Sequence, residues 1–277
     1  MTRRSFVAAI FLASAGFLAA CASGVQFQSS SLGKPTRVHA LMYRPDGPGP
    51  FPAVVLMHHA GGLYNRRGQV RRIYTDWAGK LKDWGYVALI VDSYGSRGVE
   101  HLFDIGHWKD RAYQVADAFG ALRYLHGQPF VDGERIAVMG FSRGGFAVLN
   151  VLEDGGAAMY HDHPLPFRAG VAFYPICREH MYRKFTAPLL VLVGEKDDAT
   201  PADTCARTVE DARALDSQAA IIVYPGAHHS FDDPEKIPLR YYARQGYHMG
   251  YQRKAHKASI EDVRQFLATH LKRAVGS

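Results

Sequence analysis

The chain has 277 residues, 47% hydrophobic and 21% charged, with 27 glycines, 14 prolines and 3 cysteines. This composition excludes a disordered, collagen-like or disulfide-dense chain and leaves one large domain or two small ones, held together by a hydrophobic core. Lys and Arg exceed Asp and Glu by 7. No Lys/Arg-dense stretch accompanies that excess, so it reads as a solvated basic surface, and no nucleic-acid partner is expected.

Residues 1–20 read as a signal peptide. Arg3 and Arg4 precede an apolar run from Phe6 to Ala20, which is shorter than the roughly 20 residues a spanning helix needs. Thr2-Arg3-Arg4-Ser5-Phe6-Val7 resembles the twin-arginine export motif, and Leu18-Ala19-Ala20-Cys21 resembles a bacterial lipobox. That resemblance implies export to the cell envelope or periplasm, with Cys21 as a lipidated first residue and the lipid as the protein's contact with the membrane. Residues 21–35 then read as the attachment cysteine and a flexible tether, because 22–35 are small and polar without an apolar period.

From residue 36 to 277 the pattern is that of one domain. Ala53–Met57 is a buried strand, and Ile73, Trp77 and Leu81 form a helical stripe within 70–84 that Gly85 ends. Tyr86–Val91 is a strand, Lys109–His126 a helix, Arg135–Gly140 a strand, and a helix opens at Gly144. Strands follow at Ala169–Tyr174, Pro188–Val193 and Ala220–Tyr224, with helices at Asp203–Leu215 and His256–Leu271. Continuous apolar strands separated by helices are the signature of a doubly wound, mostly parallel α/β sheet covered on both faces. Its reactive groups gather at the carboxyl ends of the strands.

Gly140-Phe141-Ser142-Arg143-Gly144 stands at such an end, between a strand and a helix. A sharp turn there needs small residues two before and two after the serine, and it leaves the serine Oγ exposed at a helix N-terminus. A serine hydroxyl needs a base, and on this fold an acid and then a histidine follow in chain order. The strand at 188–193 runs into Gly194-Glu195-Lys196-Asp197-Asp198-Ala199-Thr200-Pro201, and the strand at 220–224 into Pro225-Gly226-Ala227-His228-His229-Ser230-Phe231. Spacing alone leaves both Asp197 and Asp198, and both His228 and His229, as candidates.

These motifs resemble the dienelactone hydrolase family of α/β-hydrolases over most of residues 36–271. The family's G-x-x-D-x-x-x-P pattern selects Asp197 through Gly194 and Pro201, and its His-Ser-Phe pattern selects His229 through Ser230 and Phe231. Founding members carry cysteine where Ser142 stands and arginine where Asp233 stands, which argues against a small anionic lactone held at that point. The resemblance also implies an oxyanion hole from the amide of Arg143 and, by position in His58-His59-Ala60-Gly61-Gly62, that of Ala60. The function implied is hydrolysis of a small carboxylic ester or lactone through an acyl-enzyme, without cofactor. Two rival readings stay open. One is a peptidase or amidase using the same triad, since the serine turn does not distinguish ester from amide. The other is a non-catalytic envelope binding protein, against which the intact Ser–acid–His order argues.

Cys177 and Cys205 lie at neighbouring strand ends and are expected to form a disulfide in an oxidising compartment. His161-Asp162-His163 and the pairs 58–59 and 228–229 lack partners at tetrahedral-site spacing, so no metal is expected. Arg66, Arg67, Arg71 and Arg72 read as a solvated helix face. Tyr241, Tyr242, Tyr247 and Tyr251 sit in a stretch without regular pattern, where they either wall a cleft or pack.

Overall fold

The computed structural model describes residues 22–30, 36–99, 107–155, 166–178, 184–243 and 245–271, with backbone alone over 107–112. The segment 1–20, Cys21 and the His161–Asp162–His163 triplet lie outside them.

Eight strands form one sheet: β1 Ser23–Gln28, β2 Arg37–Tyr43, β3 Phe51–Met57, β4 Val87–Asp92, β5 Val131–Phe141, β6 Ala169–Phe173, β7 Leu189–Gly194 and β8 Ala219–Tyr224. Their spatial order is β1-β2-β4-β3-β5-β6-β7-β8. β3 to β8 run parallel, and β1 and β2 add an antiparallel edge beside β4. The helices are α1 Arg72–Asp83, α2 His107–His126, α3 Arg143–Leu152, α4 Ala202–Arg213 and α5 Arg253–His270. The sheet is therefore the doubly wound, mostly parallel one that the apolar runs imply.

Because side chains alternate across a strand, each central strand feeds both faces. Ala53, Val55 and Met57 of β3 enter a core with α2, α3 and α4, whereas Val54 and Leu56 enter the opposite core with α1 and α5. All five are fully buried, at roughly 25 cal/mol per Å² of apolar surface removed from water. The stripe on α1 is as the spacing predicts, with Ile73, Trp77 and Leu81 buried.

Two elements differ from the sequence reading. The stretch 21–35 is not a tether throughout, because Ser23–Gln28 is strand β1, paired antiparallel with β2. Val25 and Phe27 point inward between exposed neighbours, and Phe27 lies 5.9 Å from the Tyr124 ring of α2. Two apolar residues at period two are too brief a signal to stand out in a polar run. Gly120 on α2 makes room for the strand, since a Cβ there would sit 2.4 Å from the Gln28 carbonyl oxygen. The second difference is a hairpin in the tyrosine-rich stretch, β9 Arg240–Tyr242 with β10 Tyr247–Met249. Cys177 and Cys205 are joined by a disulfide.

Candidate active site

The carboxyl ends of β3, β5, β7 and β8 converge on one point. Ser142 caps α3 with φ 50° and ψ −107°, a backbone shape that non-glycine residues rarely adopt. The flanking glycines make this turn sterically feasible. A Cβ at Gly140 would lie 2.2 Å from the Gly144 carbonyl oxygen, and one at Gly144 2.2 Å from that of Met57. Neither strand-to-helix turn nor β3 contact survives a larger residue at these two positions.

Ser142 Oγ lies 3.0 Å from His229 Nε2, and His229 Nδ1 lies 2.8 Å from Asp197 Oδ2. Asp197 is 4% exposed, and its other oxygen accepts from the amides of Ala199 and Thr200 at 3.0 and 2.8 Å. An ionised carboxylate only accepts, so the proton of His229 sits on Nδ1 and Nε2 is left to accept from the serine. The imidazole stands between two phenol rings, with centroid distances of 4.7 Å to Tyr174 and 5.3 Å to Tyr247.

The neighbours that spacing could not separate have other partners. Both oxygens of Asp198 are taken by His248 of β10, at 2.7 Å to Nδ1 and 2.9 Å to the backbone amide. His228 faces away, its ring 5.8 Å from His248. It is Asp197, not Asp198, that reaches His229.

After β3 the loop amides are largely committed. His59 N–H donates to Tyr74 Oη at 2.9 Å, Gly61 N–H to His59 Nδ1 at 2.8 Å, and Gly62 N–H to the His59 carbonyl at 3.1 Å. Ala60, between them, lines the cleft above Ser142. Burial, with Arg71 and Lys236 nearby, holds His59 well below the usual imidazole range, so it stays a neutral acceptor for Gly61. On the serine side, Phe146 N–H donates to Ser142 O at 2.9 Å, and Arg143 is the first residue of α3, directly after the serine.

The cleft has a volume of about 820 Å³. Tyr94, Tyr242, Tyr247 and Met249 contribute aromatic and apolar surface to its lining, and Arg66, Arg71 and Lys236 contribute cations, with Lys236 Nζ 5.4 Å from the Tyr242 ring centroid. The reading of a solvated basic face holds for Arg66 and Arg67, which are exposed, and for Arg72, whose side chain is 68% exposed beside Asp76; Arg71 is half-buried and donates to the Gly61 carbonyl at 3.1 Å. Asp233 is buried; desolvation raises its pKa, and Lys236 counteracts part of that rise. Among the described residues no group of three His, Cys, Asp or Glu side chains is gathered for a metal.

Sequence reasoning missed Thr200, whose hydroxyl lies 2.9 Å from Asp197 Oδ2, and the pair Tyr174 and Asp232 behind the histidine. Thr200 sits inside the same G-x-x-D-x-x-x-P run that carries Asp197, which is the one signal that pointed to it.

A doubly wound sheet with a serine turn after β5, an acid after β7 and a histidine after β8 defines an α/β-hydrolase. The chain belongs to the dienelactone hydrolase family, whose profile matches residues 38–271. It is 26% identical over 202 residues to a protein of Methylorubrum extorquens assigned as a carboxymethylenebutenolidase, a match covering 66% of this chain and 64% of that one. It is 24% identical over 212 residues to a Bradyrhizobium protein assigned as a 2-oxo-3-(5-oxofuran-2-ylidene)propanoate lactonase, covering 70% and 79% of the two chains. Among solved structures, a dienelactone hydrolase-like promiscuous phosphotriesterase from metagenomic libraries shares the fold at 23% identity and a TM-score of 0.67, covering 91% of this chain and 100% of that one.

Proposed function

We propose that this protein hydrolyses carboxylic esters or lactones by double displacement at Ser142. The observation that carries the reading is the unbroken path from Ser142 Oγ through His229 to Asp197, at 3.0 and 2.8 Å. His229 takes the serine proton as Oγ attacks the carbonyl carbon, and Asp197 holds the tautomer and stabilises the imidazolium. The tetrahedral oxyanion is bound by the amides of Ala60 and Arg143. Its collapse expels the alcohol, which His229 protonates, and water then repeats the sequence to release the acid. The relatives assigned as carboxymethylenebutenolidase and lactonase support the bond class. A fluorophosphonate probe is expected to add its phosphonyl group to Ser142, read by peptide mass spectrometry; an unmodified Ser142 overturns the assignment.

The cations in the cleft lining select among esters. A cation about 4 Å from a carboxylate at the effective dielectric of a protein surface gains several kcal/mol before desolvation, and a net of about 1.4 kcal/mol is tenfold in affinity. Lys236→Met is expected to raise KM about tenfold for an ester bearing a carboxylate and less than twofold for a neutral one of equal size. Equal changes for both overturn the charge role.

Export and lipidation of Cys21 belong to the same proposal, supported by the motifs around Arg3-Arg4 and Leu18–Cys21. Since β1 begins at Ser23, a lipid on Cys21 holds the sheet edge against the bilayer rather than on a long leash. The mass of the mature N-terminal peptide checks this; an unmodified Cys21 overturns it.

A further inference from the structure

Asp232 has no part in the proton path, yet it is a carboxylate 1% exposed, three residues past His229. Burying such a group is unfavourable unless its lone pairs are used. Here both oxygens accept from buried donors, Oδ1 from Tyr174 Oη–H at 2.7 Å and Oδ2 from Trp77 Nε1–H at 3.0 Å. The two donors come from different elements, the loop after β6 and helix α1.

Tyr174 is the member nearest the chemistry. Its φ is 36°, in the region where side-chain-bearing residues are strained, and such shapes persist only where surroundings over-determine them. Its amide donates to the Leu192 carbonyl at 2.6 Å, and its own carbonyl lies 3.2 Å from the Thr200 hydroxyl, the same hydroxyl that touches Asp197. One residue earlier, the Phe173 carbonyl accepts from the Ser142 amide at 2.8 Å. The segment 173–174 thus touches the loops of all three triad residues, and the Tyr174 ring stands 4.7 Å from His229 in a T-shaped contact.

We propose that Asp232 is a positioning residue: by accepting the Tyr174 hydroxyl it fixes the ring that sets the orientation of His229. The inference rests on the serine-hydrolase reading above. Without the anchor the ring is free to tilt about its side-chain torsions, and His229 loses one of its two aromatic walls. An imidazole that leaves its line with Ser142 slows proton transfer while leaving the cleft, and hence substrate binding, intact.

Tyr174→Phe keeps the ring and removes only the O–H, and is expected to lower kcat on a short activated ester about tenfold with KM changed less than twofold. Asp232→Ala should do the same. Asp232→Asn, whose carbonyl accepts from Trp77 while its amide donates to Tyr174 Oη, should stay within about twofold of wild type. The double variant Asp232→Ala with Tyr174→Phe should be no slower than the slower single, as two cuts in one chain of contacts do not add. Losses that multiply, losses that fall in KM, an Asp232→Asn enzyme as slow as Asp232→Ala, or a Tyr174→Phe enzyme at wild-type kcat overturns the proposal. The shape-conserving Tyr174→Phe keeps the test alive if Asp232→Ala does not fold. Wild-type turnover and probe labelling of Ser142 are read first, so failure of the hydrolase reading shows as an unreactive wild type, separate from any outcome for Asp232.

Discussion

Ser142→Ala is expected to remove about 10⁶ of kcat on a short activated ester while leaving the thermal midpoint within a few degrees of wild type, the scale seen when a serine that acts as a unit with its base is deleted. Alanine carries a Cβ, as serine does, so it meets the same strain at φ 50°. What disappears is the oxygen 3.0 Å from His229 Nε2. The amides proposed to bind the oxyanion remain, so a residual rate of about 10³ over water persists through the hole and binding alone. Ester turnover and circular dichroism on the same preparation separate the chemical loss from unfolding. A variant that retains even a tenth of wild-type turnover would place the nucleophile elsewhere.

Central strands buried on both faces write themselves as unbroken apolar runs, as in Val54, Val55 and Leu56, so the parallel sheet was legible. Edge strand β1 carries only Val25 and Phe27 inward, and the β9–β10 hairpin is three residues a side, so neither rises above the surrounding polar and aromatic residues. The chain order of serine, acid and histidine was legible too, because the fold dictates which strand ends carry them.

Choosing within Asp197-Asp198 and His228-His229 was not legible from spacing. The reason lies in the unread hairpin, since β10 presents His248 to Asp198 and Tyr247 to His229. The carboxylate that faces outward meets a partner fifty residues away in sequence, which no spacing within the loop contains. Arg66, Arg71 and Lys236 line the same cleft as Tyr242 and Tyr247, with Lys236 Nζ 5.4 Å from the Tyr242 ring centroid, a gathering of residues distant in sequence that one-dimensional charge patterning does not contain. Asp233 stands where the founding members have arginine, and Lys236, three residues on, is one of the cations that line this cleft.

That division of labour between two adjacent aspartates gives the second large effect. Asp197→Asn is expected to lower kcat about 10⁴-fold, roughly 5.5 kcal/mol of transition-state stabilisation, with KM little changed. The amides of Ala199 and Thr200 both donate to Oδ1, so an asparagine must keep its carbonyl oxygen there and turn its NH₂ toward His229. Facing a donor, His229 Nδ1 gives up its proton and Nε2 takes it. The base then presents N–H to Ser142, where it needs a lone pair, and the proton path is reversed without any atom leaving its place. Asp198→Asn is the matched control. Its pair with His248 is exposed, 43% and 42% by side chain, and exposed ion pairs contribute about 0–1 kcal/mol, so kcat is expected to change less than threefold. Both variants are measured on one neutral ester across a common pH range. If Asp198→Asn is the slower enzyme, or if the Asp197→Asn loss appears in KM rather than kcat, the acid has been assigned to the wrong neighbour, and the inward-facing carboxylate serves only to tie its own loop through Ala199 and Thr200.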